Sequence, residues 1–269
     1  MSLNPEDHII KENVIKENFD WEIPVESIPL PSRGVLYDPN GSLYNKESLK
    51  IKAMTAREED ILMSPAYAKD GTTILMLIKS CLIDKSINVE ELITGDRNAL
   101  MISIRITGYG SDYPVATTCN HCGHQENLNI NLGGLEINRL SIEPIEKGKN
   151  EFEYQLPVSK KKVTFSFMSY QKERNREAKM NFVKKQKNKN DKSVTTFLEE
   201  VVQSVDGIRD KNKISHFIQA MPAKDSRMLR TFISKNEPGI IMEHSYNCSN
   251  CNGLNKKGLQ INSNFFWPE

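Results

Sequence analysis

The residues best equipped for chemistry lie in two short stretches. "TTCNHCGHQ" (117–125) sets Cys119 and Cys122 three apart, with His121 and His124 flanking the second cysteine. "NCSNCNG" (247–253) repeats the spacing with Cys248 and Cys251. A C-x-x-C turn aims two soft thiolate ligands to one side of a tight loop. One such pair alone fits a redox couple, a self-contained Cys-His-Cys-His cluster, or half of a larger site. Two pairs, each entered from a strand-like segment and followed by glycine or small polar residues, point to one structural zinc held by four cysteines.

The competing chemistries each lack something. A redox C-x-x-C usually opens a helix beside a βαβ unit, which is missing here. A catalytic zinc keeps one position open for water, four thiolates leave none, and neither HExxH nor HxE…PCxxC occurs. His121 and His124 are expected to face solvent. The interval from Cys122 to Cys248 far exceeds the roughly 15–20 residues of a continuous ribbon. The ribbon is therefore expected to be split, with everything between the pairs an insertion whose ends the metal pins together.

The elements that must position these cysteines read as α+β. Residues 1–20 are polar apart from Ile9, Ile10, Val14 and Ile15, and are expected as a flexible N-terminal arm. "WEIPVESIPLPSRGVLY" (21–37) carries three prolines and is predicted extended, ending in the turn "DPNG" (38–41). "LKIKAMT" (49–55) alternates like a half-buried strand, and Thr55 with Glu58 has capping-box spacing for a helix that Pro65 ends or kinks. "GTTILMLIKSCLI" (71–83) predicts a buried helix with Cys81 as a small core residue. Another helix follows, capped near Asp96 and stopped by Gly108 and Gly110. "ENLNINLGGLEI" reads as strand, turn, strand, and residues 151–170 as a hairpin with "SKKK" at its tip. From 171 to 235 the pattern is helical, including "VTTFLEEVVQSV", with "KKQKNKNDK" (184–192) a charged helix end or loop. "IIMEHSYNC" (240–248) returns to strand. The resulting organisation is an arm (1–20), an extended lead-in with a helical region (21–118), a split zinc ribbon (119–150 and 236–269) with short antiparallel hairpins, and an inserted hairpin and helical region (151–235).

Composition narrows the function. Lys+Arg 36 against Asp+Glu 35 leaves a net charge of +1, without the basic excess of a dedicated nucleic-acid binder. No window approaches the ~18 apolar residues of a membrane span. The N-terminus lacks the basic and apolar regions of a secretory signal, so folding in a reducing cytoplasm is expected. Phosphate loops of the GxGxxG or GxxxxGK[ST] type and a GxSxG elbow are absent, so neither catalytic residues nor a small-molecule substrate is expected.

A second set of residues suggests docking. Arg33 lies in "SRGVLYDPNG", read as a strand that adds to a partner's sheet or covers an internal edge. Arg97 and Arg105, eight residues apart on one helix, would bind a neighbouring carboxylate or pair within the chain, with Glu58, Glu59 or Asp60 as partners. Asp225, Arg227 and Arg230 in "AKDSRMLRTF" pose the same alternatives. Phe265, Phe266 and Trp267 close the chain; they either cap the ribbon internally or anchor in another subunit.

Taken in order, "IPLPSRGVLY", "MTAREEDIL", "GDRNALMISIRITGYG", "CNHCG", "KDSRMLR", "CSNC" and "FFWP" resemble the T-even-type baseplate hub proteins of contractile-tailed bacteriophages, hub assembly factors included. The resemblance runs from about residue 28 to 269, and only the cysteine pairs are diagnostic on their own. It implies a non-enzymatic structural or assembly role among other hub and tail proteins, in the host cytoplasm and at the virion baseplate. Its cysteine pattern maps onto Cys119, Cys122, Cys248 and Cys251; no catalytic residue carries over. The alternative from the residues alone is a zinc-ribbon nucleic-acid-binding regulator, against which the charge balance argues.

Overall fold

The computed structural model describes residues 11–16, 22–185, 193–259, 261 and 263–267. It opens with three antiparallel strands in the order β1 (Lys11–Lys16), β2 (Glu22–Pro29), β3 (Ser48–Lys52). Alternation sets the buried face: Ile23 and Val25 on β2, Leu49 and Ile51 on β3. Residues 11–16, inside the segment expected as an arm, are extended along β2, with Lys16 opposite Glu22. Residues 1–10 and 17–20 of that arm lie outside the described residues.

Between β2 and β3 the chain reverses. Residues 31–36 are a run of turns, where an extended segment and a docking or edge strand around Arg33 were expected. Arg33 (φ 55°) and Gly34 (φ 71°) are both left-handed, which no strand accommodates. The prolines exclude helix without imposing a strand. The "DPNG" turn forms as predicted, Gly41 N–H donating to Asp38 O at 2.8 Å.

Four helices follow: α1 (Ala56–Met63), α2 (Pro65–Asp70), α3 (Thr73–Cys81) and α4 (Thr94–Tyr109). The capping box is present, and Pro65 starts α2 as its first residue. The Glu58 carboxylate accepts from the Thr55 backbone at 3.0 Å, the Thr55 hydroxyl at 2.6 Å and Ser80 Oγ at 2.5 Å, and pairs with Lys52 at 2.9 Å. Burial alone would raise its pKa; these donors overcome that and bring it down to about 2. Cys81 is fully buried, as expected of a small core residue. On α4, Asp96, Ala99, Leu100, Met101, Ile102, Ile104 and Arg105 are all buried, covering most of the circumference. The helix therefore runs through the centre of the protein. Gly108, expected as a stop, lies inside its last turn, and the helix ends at Gly110.

Beyond α4 come the hairpin β4 (Asp112–Thr118) and β5 (Gln125–Asn131), short β6 (Ile137–Asn138), then β7 (Phe152–Gln155) and β8 (Lys162–Phe165), the predicted hairpin. Helices α5 (Tyr170–Lys185) and α6 (Ser193–Val201) precede β9 (Val202–Val205), which adds to β8 as the third strand of that sheet. Helix was expected through Val205. Its four residues instead satisfy the free edge of β8, burying Val202, Ser204 and Val205. Most of "KKQKNKNDK" (186–192) lies outside the described residues. Helices α7 (Lys211–Ala220) and α8 (Ala223–Asn236), short β10 (Gly239–Ile240) paired with β6, and the hairpin β11 (Glu243–Asn247) and β12 (Leu254–Gly258) complete the chain. One apolar core runs from Ile28 to Phe266. Among the described residues no helix is long and apolar enough to cross a membrane.

Three consecutive residues at the start of α4 join it to three distant segments. Asp96 is fully buried and accepts from Ser32 N–H (2.9 Å), Ser32 Oγ (2.5 Å) and Tyr37 OH (2.5 Å). Arg97 pairs with Glu173 of α5 at 2.5 Å, and Thr94 Oγ1 donates to the other oxygen of that carboxylate at 2.7 Å. At Gly95 the backbone touches residues 238–239 so closely that a Cβ would sit 1.7 Å from Pro238 O. Gly95→Ala must push two backbone segments apart, and we expect it to cost roughly 3 kcal/mol in urea unfolding. Gly258→Ala, with open space around its Cβ, should be near neutral. For Glu58 the charged form is favoured in the folded state, so its stabilisation is complete above the ordinary value of 4.5 and is lost as pH falls toward 2. The stability gap between wild type and Glu58→Gln should therefore be widest near neutral pH and close across that window.

Candidate metal centre

Each C-x-x-C forms the tip of a β-hairpin. β4 and β5 pair in register up to Thr118 opposite Gln125, and β11 and β12 up to Asn247 opposite Leu254. The connecting turns are copies of one another. Cys119 N–H donates to His124 O at 2.8 Å and Cys248 N–H to Gly253 O at 3.0 Å. The carbonyls of the same cysteines accept from Gly123 N–H at 3.0 Å and Asn252 N–H at 2.9 Å. Gly123 (φ 75°) and Asn252 (φ 56°) both occupy the left-handed region, which glycine and asparagine tolerate best.

These turns gather all four Sγ atoms within 4.8 Å of one another. Cys119 lies 3.7 Å from Cys251, and Cys122 lies 3.7 Å from Cys248. Zinc–sulfur bonds of about 2.3 Å imply a tetrahedral sulfur–sulfur edge of about 3.8 Å. The donor set therefore has the dimensions of a four-sulfur cage and could hold a metal ion. Backbone N–H groups support each sulfur: His121 and Cys122 toward Cys119, His124 toward Cys122, Asn250 and Cys251 toward Cys248, and Gly253 toward Cys251. Neither His121 nor His124 belongs to the set, and both are exposed.

Further contacts lock the two hairpins together. The buried Asn255 on β12 donates from Nδ2 to Cys119 Sγ at 3.3 Å, while its Oδ1 accepts from Asn120 N–H at 2.8 Å. One amide thus holds the opposite turn by two atoms. The Thr117 and Tyr246 hydroxyls meet at 3.1 Å, and Lys257 Nζ donates to Ala116 O at 3.2 Å. His121 reaches across to Leu254 O at 3.0 Å, a bridging role instead of a ligating one.

The thiols divide electrostatically. Burial opposes ionisation of Cys119, but the N–H groups of Cys122 and His121 and the Asn255 amide bring it down to about 6. Cys122 is lowered by His124 N–H and the Asn250 amide. At Cys251 the N–H of Gly253 helps ionisation, but the Cys122 sulfur and burial outweigh it and push the thiol to about 12. Cys119 and Cys122 are thus shifted toward the thiolate, while neighbouring sulfurs oppose ionisation of Cys248 and Cys251. Deprotonating all four within this volume requires a cation among them.

The residues considered for docking scatter. Arg33 and Arg227 are exposed, and Arg97 is taken by Glu173. Arg105 is fully buried and pairs with none of Glu58, Glu59 or Asp60, the carboxylates expected for it. Its guanidinium donates to the carbonyls of Gly110 (2.9 Å), Phe265 (3.2 Å) and Asp112 (3.4 Å) and lies over the Tyr109 ring. Arg105 thereby ties the end of α4 to β4 and to the aromatic tail. Phe265 and Phe266 are fully buried in the chain's own core, and Trp267 packs against Tyr109. Arg230 is half-buried on α8. Asp225 caps the β7–β8 hairpin, accepting from Val158 N–H (2.7 Å) and Ser159 N–H (2.9 Å). Sequence reasoning missed Asn255 and the role of Asp96. No spacing marks an asparagine four residues past a cysteine, whereas an aspartate amid the apolar positions of a buried helix is a signal that could have been read.

A family model described as T4 bacteriophage base plate protein matches residues 40–267. No curated protein and no solved structure matches the chain.

Two substitutions test the centre. Cys248→Ser is expected to abolish stoichiometric metal in elemental analysis and to lower the melting temperature; unchanged metal and melting would refute a shared site. Asn255→Ala leaves four thiolates but removes a sulfur-supporting donor. It should weaken metal affinity about tenfold in competition with a chromophoric chelator.

Proposed function

The chain belongs to the family of T4 bacteriophage base plate proteins, and on that premise we propose that it is a non-enzymatic structural or assembly component of the baseplate hub. A structural zinc ion at Cys119, Cys122, Cys248 and Cys251 stabilises it. The observation that carries this reading is the family match from residue 40 to 267, which takes in both cysteine pairs and every helix among the described residues. Bound zinc supplies the charge that lets four crowded thiols ionise together, and so ties the β4–β5 hairpin to the β11–β12 hairpin.

The assignment of a structural metal rests on the donor set. Four sulfurs fill a tetrahedral ion, leaving no position for water or substrate. The most buried carboxylates have internal work: Asp96 holds residues 32–37, Glu58 caps α1, and Asp225 caps a hairpin. The protein's partners are other tail proteins, met in the host during assembly and at the virion baseplate. Exposed Arg33 and Arg227 are positions for such contacts.

Mass spectrometry of purified particles and of tail-assembly intermediates tests this proposal. The chain should be found in one or both, and should co-purify with baseplate proteins when co-expressed. A chain absent from every tail species, binding no hub protein and showing a steep salt-dependent affinity for DNA, would point instead to a regulator. Cobalt substitution should give the visible spectrum of four-sulfur coordination.

A further inference from the structure

We propose that the groove formed by α1, α2, α3 and residues 82–85 is a docking site for an acidic, apolar segment of a partner protein. The cavity has a volume of about 660 Å³, in the range that accepts several side chains. Ile61, Tyr67, Met76 and Leu82 contribute its apolar lining, and Ile83 stands exposed beside them. Its cations are Lys52, Arg57, Lys79 and Lys85, and no carboxylate lines it.

The four cations are not equivalent. Lys52 is engaged by Glu58, whose remaining acceptor capacity goes to Thr55 and Ser80. Lys85 Nζ donates to the carbonyls of Lys79 (3.0 Å) and Ser80 (2.9 Å), closing the C-terminus of α3. Arg57 and Lys79 are not engaged in this way. Among the described residues neither makes an ion pair, and both are exposed. Desolvation first, then the positive neighbours Lys52 and Arg57, pull the Lys85 ammonium below its usual range, with Cys81 and Glu58 working against them.

An apolar floor under unpaired cations is complementary to a segment that presents aliphatic or aromatic side chains flanked by carboxylates. A nucleic-acid strand fits less well, because the floor is aliphatic apart from Tyr67 and offers no series of rings for base stacking. The inference stands on the groove and does not depend on placement at the hub.

The test uses the full chain to select from a library of short random peptides. Selected sequences should be enriched in Asp and Glu together with Leu, Ile or Phe. A synthetic selected peptide, followed by fluorescence anisotropy, should bind Arg57→Glu/Lys79→Glu about tenfold or more weakly, whereas Lys224→Glu on α8 leaves binding unchanged. Circular dichroism and melting of the double variant should match wild type, because neither side chain is tied into the fold by an ion pair. Selection without acidic enrichment, or binding insensitive to the double reversal, overturns the proposal. So does displacement by oligothymidine (a nucleic-acid groove), displacement by a peptide of residues 1–10 (an internal ligand), or self-association abolished by the double variant (a second copy).

Discussion

The buried first turn of α4 is the constraint around which the other segments are arranged. Asp96 is a carboxylate without exposure, and its nearest donors are the hydroxyls of Ser32 and Tyr37 and one backbone N–H, none of them a cation. Burial raises its pKa, and these donors work against that rise. Withdrawing any one of them leaves a buried acceptor unsatisfied, typically a loss of about 1–3 kcal/mol. Residues 31–37 therefore fold as turns around the carboxylate instead of continuing β2. Beside it, the absence of a side chain at Gly95 lets the 238–239 backbone make contact, and Arg97 reaches α5. Three neighbours in sequence thus fix segments from the beginning, middle and end of the chain against one helix.

The opposite end of α4 makes a second set of ties. Arg105 satisfies its guanidinium with carbonyls from Gly110, Asp112 and Phe265, so the start of the first hairpin and the C-terminal tail meet at one buried cation. The four-sulfur cluster then joins the far ends of the two hairpins. The segment between the cysteine pairs is already restrained by the β6–β10 pair and by the shared core. A metal held there would contribute less through closing a long loop, whose cost grows only slowly with length, than through ordering the hairpin tips it touched.

This arrangement suits a protein that works by contact. Its most buried carboxylates are occupied in holding the fold, and its four clustered cysteines could by themselves fill the coordination of a tetrahedral ion. The described surface includes Arg33 on a left-handed turn, Arg227 on α8 and the cationic groove beside α3, which are the positions proposed above for partner contacts. A fold this strongly cross-tied presents such surfaces in fixed relative positions, which reduces the ordering cost of docking.

The local chemistry was written in the sequence. Each C-x-x-C spacing gave a tight turn presenting two sulfurs, the Thr55–Glu58 spacing gave the start of α1, and alternation gave β3 and the β7–β8 hairpin. Each depends on residues close together in the chain, where backbone geometry alone sets the outcome. The tertiary structure decided the rest. Residues 202–205 are a strand because β8 offers an edge, and Arg105 is an interior cation because three carbonyls converge on it. Asn255 supports Cys119 only once the two hairpins face each other. Sequence periodicity carries one face of one element; it cannot say which remote donor, acceptor or backbone will be brought against that face, because packing of the whole core fixes that choice.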